Sequence, residues 1–317
     1  MATVVAVDHR LRRSEVVHSD RRGASRTHSR WFVPWLFLAF GLGIVGIFIL
    51  FPLVNTLVLA FTDSTLLRRG DFVGLENFRR ILDDPRFGTA MLNSLLYVVC
   101  VAPLMVLLPL LLASVVRGTS RIMGFFRTTY YLPVVMSPVI VGLIWTNMLD
   151  KRGLVNECLQ WLRVVAEPVS FLTDRWLLLF SAMFVTVWMG LGFYMVIYLT
   201  ALANIDDSLY DAAAVDGAGA VRSFLNVTLP GVRSTMMLVG LLSSIAAFRV
   251  FGEVYVLTNG TGGVGGQNLT MTMLVQREGT GLQAQTGYAG AISLVMFVVL
   301  GALIAVNLLV QRRNEEK

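Results

Sequence analysis

Two charged residues stand inside the apolar runs of this 317-residue chain, Arg249 and Glu253. Four positions apart, they would share one helix face and lie within reach of an ion pair. Such a pair either neutralises itself against neighbouring helices or lines a path and hydrogen-bonds a polyhydroxylated ligand, since intramembrane charges face cavities. Asn147, Trp145, Tyr194 and Tyr198 offer amide and aromatic groups that suit such a path. Ordinary bundle packing or an interfacial aromatic belt uses the same residue types.

Catalytic chemistry has little to draw on. The three histidines, His9, His18 and His28, fall in the first 30 residues, away from any apolar run. The two lysines are Lys151 and Lys317, and neither follows a glycine, so a GxxxxGK[ST] phosphate loop is excluded. The glycine-rich run Asn259 to Gly266 has no strand before it and reads as a flexible outer turn. Cys100 lies in an apolar run and Cys158 in a connection, which gives neither a disulfide framework nor a metal cluster. No acid, base and nucleophile converge at one depth. The expectation is a non-enzyme that binds no metal or cofactor, with any ATP and Mg held by another polypeptide.

The elements that position these residues follow from composition. Hydrophobic residues make up 56% of the chain and charged residues 15%, against about 25% charged in soluble proteins. Six stretches meet the length needed to cross a bilayer: Trp31 to Phe61, Met91 to Val116, Thr128 to Leu149, Trp176 to Ala203, Met236 to Thr258 and Tyr288 to Val310. Continuous apolarity without period-two alternation makes them helices. The expected fold is all-α, a polytopic transmembrane bundle of six helices spanning 31–311, between a disordered Arg-rich tail, 1–30, and a short C-terminus, 312–317. Pro52, Pro103, Pro109, Pro133 and Pro138 should break or kink several helices.

With the N-terminus inside, the cytoplasmic segments hold 15 Lys and Arg and the outer loops 10. The positive-inside rule therefore puts both termini in the cytoplasm. The net charge of +6 is then explained by topology and the tail, whose arginines can touch anionic membrane lipid, and nucleic acid is not an expected partner. One charged pair across six spans gives ion coupling little to work with, which argues against a self-energised secondary carrier.

The loop Asn204 to Thr235 is too long for a tight turn. Asp206, Asp207 and Ser208 are caps that suit a helix N-terminus, and Leu209 to Val215 are helix formers. Gly217 accepts the positive φ of a C-terminal stop. Ala212, Ala213 and Ala218 leave a face of little bulk, while Leu209 and Tyr210 could fill a groove. The polar face carries Asp206, Asp207, Asp211 and Asp216, which anionic lipid would repel. A helix docking on a cytoplasmic partner fits this pattern better than one lying on headgroups. Val221, Phe224, Leu225 and Val227 to Leu229 form a second amphipathic piece ending at Pro230.

Asp211-Ala-Ala-x-x-Asp216-Gly217-Ala218, followed by Phe224, Val227, Leu229 and Pro230, resembles the EAA signature of the permease subunits of binding-protein-dependent ABC importers. Asp211 stands where that family usually has Glu, and Asp206 where a proline is common. Phe72-Val-Gly-Leu-Glu-Asn-Phe78 is similar to the GLxNF stretch of sugar-type permeases, Phe251 to Thr258 to their FDxIYxLT run, and Gly287 to Ala291 to their GYAxA start of the last helix. Val264 replaces the proline that follows the family's glycines. The resemblance implies a type I importer permease fold in a bacterial inner membrane. It implies that Leu209, Tyr210, Asp211, Ala212, Ala213, Asp216, Gly217 and Ala218 form a coupling helix on a cytoplasmic ATPase present in two copies. It also implies a second homologous permease and an extracytoplasmic solute-binding protein. The substrate it implies is an oligosaccharide, disaccharide or polyol. Glycerol phosphate, the alternative, would need more positive charge than one Arg beside Glu253.

Overall fold

The computed structural model describes residues 32–315. The expectations for the tail and its histidines lie outside the described residues. Two compact units divide the chain between Pro52 and Leu53. Helix α1, Phe32–Val45, runs through a π turn, Gly46–Leu50, into α2, Phe51–Leu59.

In the second unit, α3 (Glu76–Asp83) lies in the first outer connection and is followed by α4 (Pro85–Val115). Asp84 caps α4 by accepting the Arg86 amide, with Pro85 at the first helical position. Both Pro103 and Pro109 lie inside α4, which continues through them without a break, where the sequence suggested a break or a kink. The helix is apolar all round yet two-sided. Tyr97, Val101, Met105 and Leu110 are buried, while Val99, Leu107, Leu111 and Val115 are exposed. An exposed apolar face is what lipid requires of a bundle helix.

The third apolar stretch is two helices, α5 (Arg121–Val135) and α6 (Pro138–Leu149), which corrects the expectation of one helix from Thr128 to Leu149. Met136 and Ser137 between them are extended, and the chain turns by 99°. Pro138 disfavours a helical Ser137 and supplies no amide hydrogen to continue the ladder. Next come the short α7 (Leu154–Trp161) and α8 (Arg175–Leu202), capped by Asp174 and long and apolar enough to cross a membrane. Gly192 lets α8 meet α5 closely, because a Cβ there would lie 2.3 Å from the Tyr130 carbonyl oxygen.

The connection that the arginine count assigns to the cytoplasm holds α9 (Asp207–Val215), α10 (Ala220–Ser223), a π turn at Phe224–Thr228 and α11 (Leu229–Gly231). The chain recrosses as α12 (Arg233–Phe248) and α13 (Gly252–Leu257). Helix α14 (Met271–Gly279) fills the last outer connection before α15 (Thr286–Glu315). Among the described residues five helical runs are long and apolar enough to span a membrane, and the count is six where the bent α5–α6 pair is taken as one span. Among the described residues the only β pairing is one isolated bridge, Thr62 to Phe72. The fold is an all-α polytopic membrane bundle.

The outer ends are locked by buried polar side chains. Asn93 donates to the carbonyls of Gln267 and Leu269, both at 2.8 Å, and Ser94 accepts the Met271 amide at 2.9 Å. Asn77 donates to the carbonyls of Ala60 and Thr62. Asp84 accepts from Tyr288 at 2.8 Å and pairs with Arg86, which also reaches Glu278. Arg80 stacks on the Tyr288 ring at 4.1 Å. Through Arg80 and Asp84, the end of α3 and the start of α4 are held against Tyr288 near the start of the last helix. The Asn259–Gly266 run, expected to be a flexible turn, is packed: Gly262 donates to Thr258 Oγ1, and its carbonyl accepts from Asn268 at 2.7 Å.

Candidate functional site: the cytoplasmic helix and the bundle path

Helix α9 is specified by its own ends. Asp206 is the N-cap, and its side chain accepts the Ser208 amide at 2.9 Å. That amide, followed by the Ser208 side chain, holds the Asp206 carboxyl below its usual 3.8, as suits an anion at a helix N-terminus. At the other end Ala218 N donates to Ala213 O at 2.9 Å and Gly217 N to Ala214 O at 3.0 Å. This double bond pattern is a Schellman stop. Gly217 carries it at φ +71, a conformation L side chains resist.

The helix has an inner and an outer side. Leu209, Asp211, Ala212, Val215, Asp216 and Gly217 are exposed, and Val215 retains 89% of its surface. Ala213 and Ala218 are half-buried. Tyr210, expected to offer its ring to a partner's groove, points the other way. Its hydroxyl lies 3.0 Å from Thr228 Oγ1, and its ring stacks under Arg117 at 4.4 Å. Arg117 also pairs with Asp207 at 2.8 Å. Beneath the helix a cleft of about 560 Å³ is bounded by Ser114, Arg117, Leu202, Tyr210, Phe224 and Thr228. The helix therefore stands off the bundle on a few specific contacts.

Family comparison agrees with this architecture. The family described as the binding-protein-dependent transport system inner membrane component matches residues 84–315. The chain belongs to that family. This permease is 31% identical over 271 residues to the lactose transport system permease protein LacF of Rhizobium radiobacter, covering 85% of this chain and 90% of that protein. It is 29% identical over 287 residues to the arabinooligosaccharides transport system permease protein AraP of Bacillus subtilis, covering 89% of each. A chain of a bacterial alginate ABC transporter, solved in complex with an alginate pentasaccharide-bound periplasmic protein, shares the fold at TM-score 0.77. It is 23% identical, over 90% of this permease and 95% of that chain.

The polar residues picked out within the spans do not converge. Helix α12 ends at Phe248, with Arg249 as its cap, and Phe251 turns away at φ −141, ψ −60. Arg249 and Glu253 thus sit on different helices, one exposed and one half-buried, with no ion pair between them among the described residues. The i, i+4 pairing expected from sequence fails because the helix is interrupted between them. Tyr194 and Tyr198 are in the core at 7% and 0% exposure, so in this conformation neither lines an open path. Trp145 packs edge-on against Phe184 and Trp188. Asn147 is exposed and donates to Leu143 O one turn back. Arg117 and Thr228, which hold α9, were missed by sequence reasoning. Arg117 is one of three arginines within 117–127, and only the fold shows which one reaches Asp207, 90 residues away.

Proposed function

We propose that this permease forms half of the membrane path of an ATP-driven carbohydrate importer, with both termini in the cytoplasm. A second, homologous permease completes the path, two copies of an ABC ATPase drive it, and an extracytoplasmic binding protein delivers the sugar. The observation that carries the reading is α9. It is capped at both ends by its own residues, its outer face is exposed, and it stands away from the bundle on the side the arginine distribution assigns to the cytoplasm. Such a helix can move as a rigid lever when a docked motor changes shape. Docking on the ATPase is assigned to Leu209, Asp211, Ala212, Ala213, Asp216, Gly217 and Ala218, while Tyr210 anchors the helix from behind.

A carbohydrate substrate is supported by the relatives, whose names specify lactose, arabinooligosaccharides and diacetylchitobiose. Arg249, Glu253 and Asn147 keep polar groups that can bind sugar hydroxyls once a second permease encloses them. Binding and hydrolysis of ATP fall to the separate subunit, since the chain has no phosphate loop. The test is purification through a tag on this chain in mild detergent, with mass spectrometry of what accompanies it. The expected set is an ATPase and a second permease. Uptake of labelled di- and oligosaccharides by the reconstituted complex, dependent on ATP and on the binding protein, tests the substrate class. A chain that concentrates solute alone contradicts the reading.

A further inference from the structure

We propose that Arg117 is the strut that passes motion of the coupling helix to the membrane helices, a positioning residue for energy coupling; this rests on α9 being the coupling helix. Among the described residues, two hydrogen-bonded side-chain contacts leave α9 for the rest of the chain. One is Tyr210 to Thr228, which lies on the segment that follows α9. The other is Asp207 to Arg117, which lies just past the end of α4. The guanidinium also covers the Tyr210 ring, so one planar group grips two residues three apart on the same face of α9.

The base of the strut is itself fixed. Arg127, from α5, donates to the carbonyls of Val116 and Gly118, on either side of Arg117, and the Val116 amide bonds to Leu112 O at the end of α4. Arg117 is thus tied to α4 and α5 at its backbone and to α9 at its head. The cleft beneath α9 leaves little broad packing to do the same work. Asp207 is 86% exposed, and pairs so exposed add little to stability. What this contact supplies is direction: a displacement of α9 pulls on α4 and α5 through one rigid group. A lysine would keep the charge for Asp207 but lose the planar face for Tyr210.

The test uses the whole complex, tagged on this chain and reconstituted in liposomes. Cys100 and Cys158 are replaced, and spin labels are placed at Val115 and Ala214, both exposed. With Arg117 intact, the label distance stays narrow and unchanged between the nucleotide-free state and the ATP–vanadate-trapped state. In Arg117→Ala the trapped-state distribution shifts or broadens, and the stimulation of ATP turnover by the binding protein falls about fivefold or more. Arg117→Lys restores part of both readouts. If the alanine variant does not assemble, the double variant Asp207→Asn with Tyr210→Leu releases the same grip from the other side. Unchanged distances and unchanged stimulation in these variants overturn the proposal, a lysine variant no better than alanine contradicts the part given to the Asp207 pair, and a lysine variant equal to wild type contradicts the part given to the stacked contact. Absence of any ATPase from the wild-type preparation would instead overturn the coupling-helix reading.

Discussion

The Tyr210 hydroxyl lies 3.0 Å from Thr228 Oγ1, tying the largest side chain of α9 to the segment that leads into α12. The ring is therefore an anchor, and the surface left for a partner is built from Leu209, Ala212, Val215 and the acids beside them. Removing the hydroxyl in Tyr210→Phe keeps the stack under Arg117 and costs about 1 kcal/mol. Hydrogen exchange of the amides in Asp207–Val215 should speed by about fivefold, since that free energy is close to a factor of five in an equilibrium constant. Exchange in α4 should not change.

Gly217 offers a separable test, because a Cβ there meets nothing within 4 Å while its φ is +71. The cost of substitution is purely conformational. Gly217→Val should loosen the end of α9 by about 1–2 kcal/mol, with normal membrane insertion and a reduced yield of co-purified ATPase. Gly217→Asn, which tolerates the left-handed region, should lie near wild type. A valine variant with full transport would remove the role given to this stop.

At the outer end, burial opposes ionisation of Asp84, but hydrogen bonds from Arg86 and Tyr288 outweigh it and hold its carboxyl below the usual 3.8. A depressed folded value means the contribution is present above pH 3.8 and is lost as pH falls through the folded value. Thermal stability in detergent should therefore hold at neutral pH and decline below about pH 4. Asp84→Asn should lower stability at pH 7 by about 1–3 kcal/mol and flatten that acid limb.

Asn93 is fully buried and satisfies two carbonyls of the connection before α14. Asn93→Leu keeps the branched outline but adds bulk, and it leaves both acceptors without their donor, at about 1–3 kcal/mol for each. A lowered midpoint of thermal unfolding, with faster proteolysis between Asn259 and Gly279, is the expected result.

How far sequence reached depended on the range of the interactions. The cap at Asp206, the stop at Gly217 and the helix between them are local, and each is visible in the residue types alone. The six apolar runs were visible for the same reason, since lipid imposes a length. Proline was an ambiguous sign: the helix breaks before Pro138, yet α4 continues through Pro103 and Pro109. Helix α14 was hidden because its burial depends on Asn93 and Ser94, more than 170 residues earlier. Tyr194 and Tyr198 looked suited to a path by type, and the inward face of α8 places them in the core instead. Arg249 and Glu253 looked paired by spacing, and an interrupted helix separates them.

The central claim is that the outer face of α9 is gripped by a separate motor. A photo-crosslinking amino acid placed at Val215, 89% exposed, in membranes containing the intact complex tests it most directly. The account predicts a crosslink to a nucleotide-binding ATPase polypeptide, with much weaker capture from Tyr210 on the inner side. Capture of lipid alone from Val215, or equal capture of the ATPase from both positions, would contradict it.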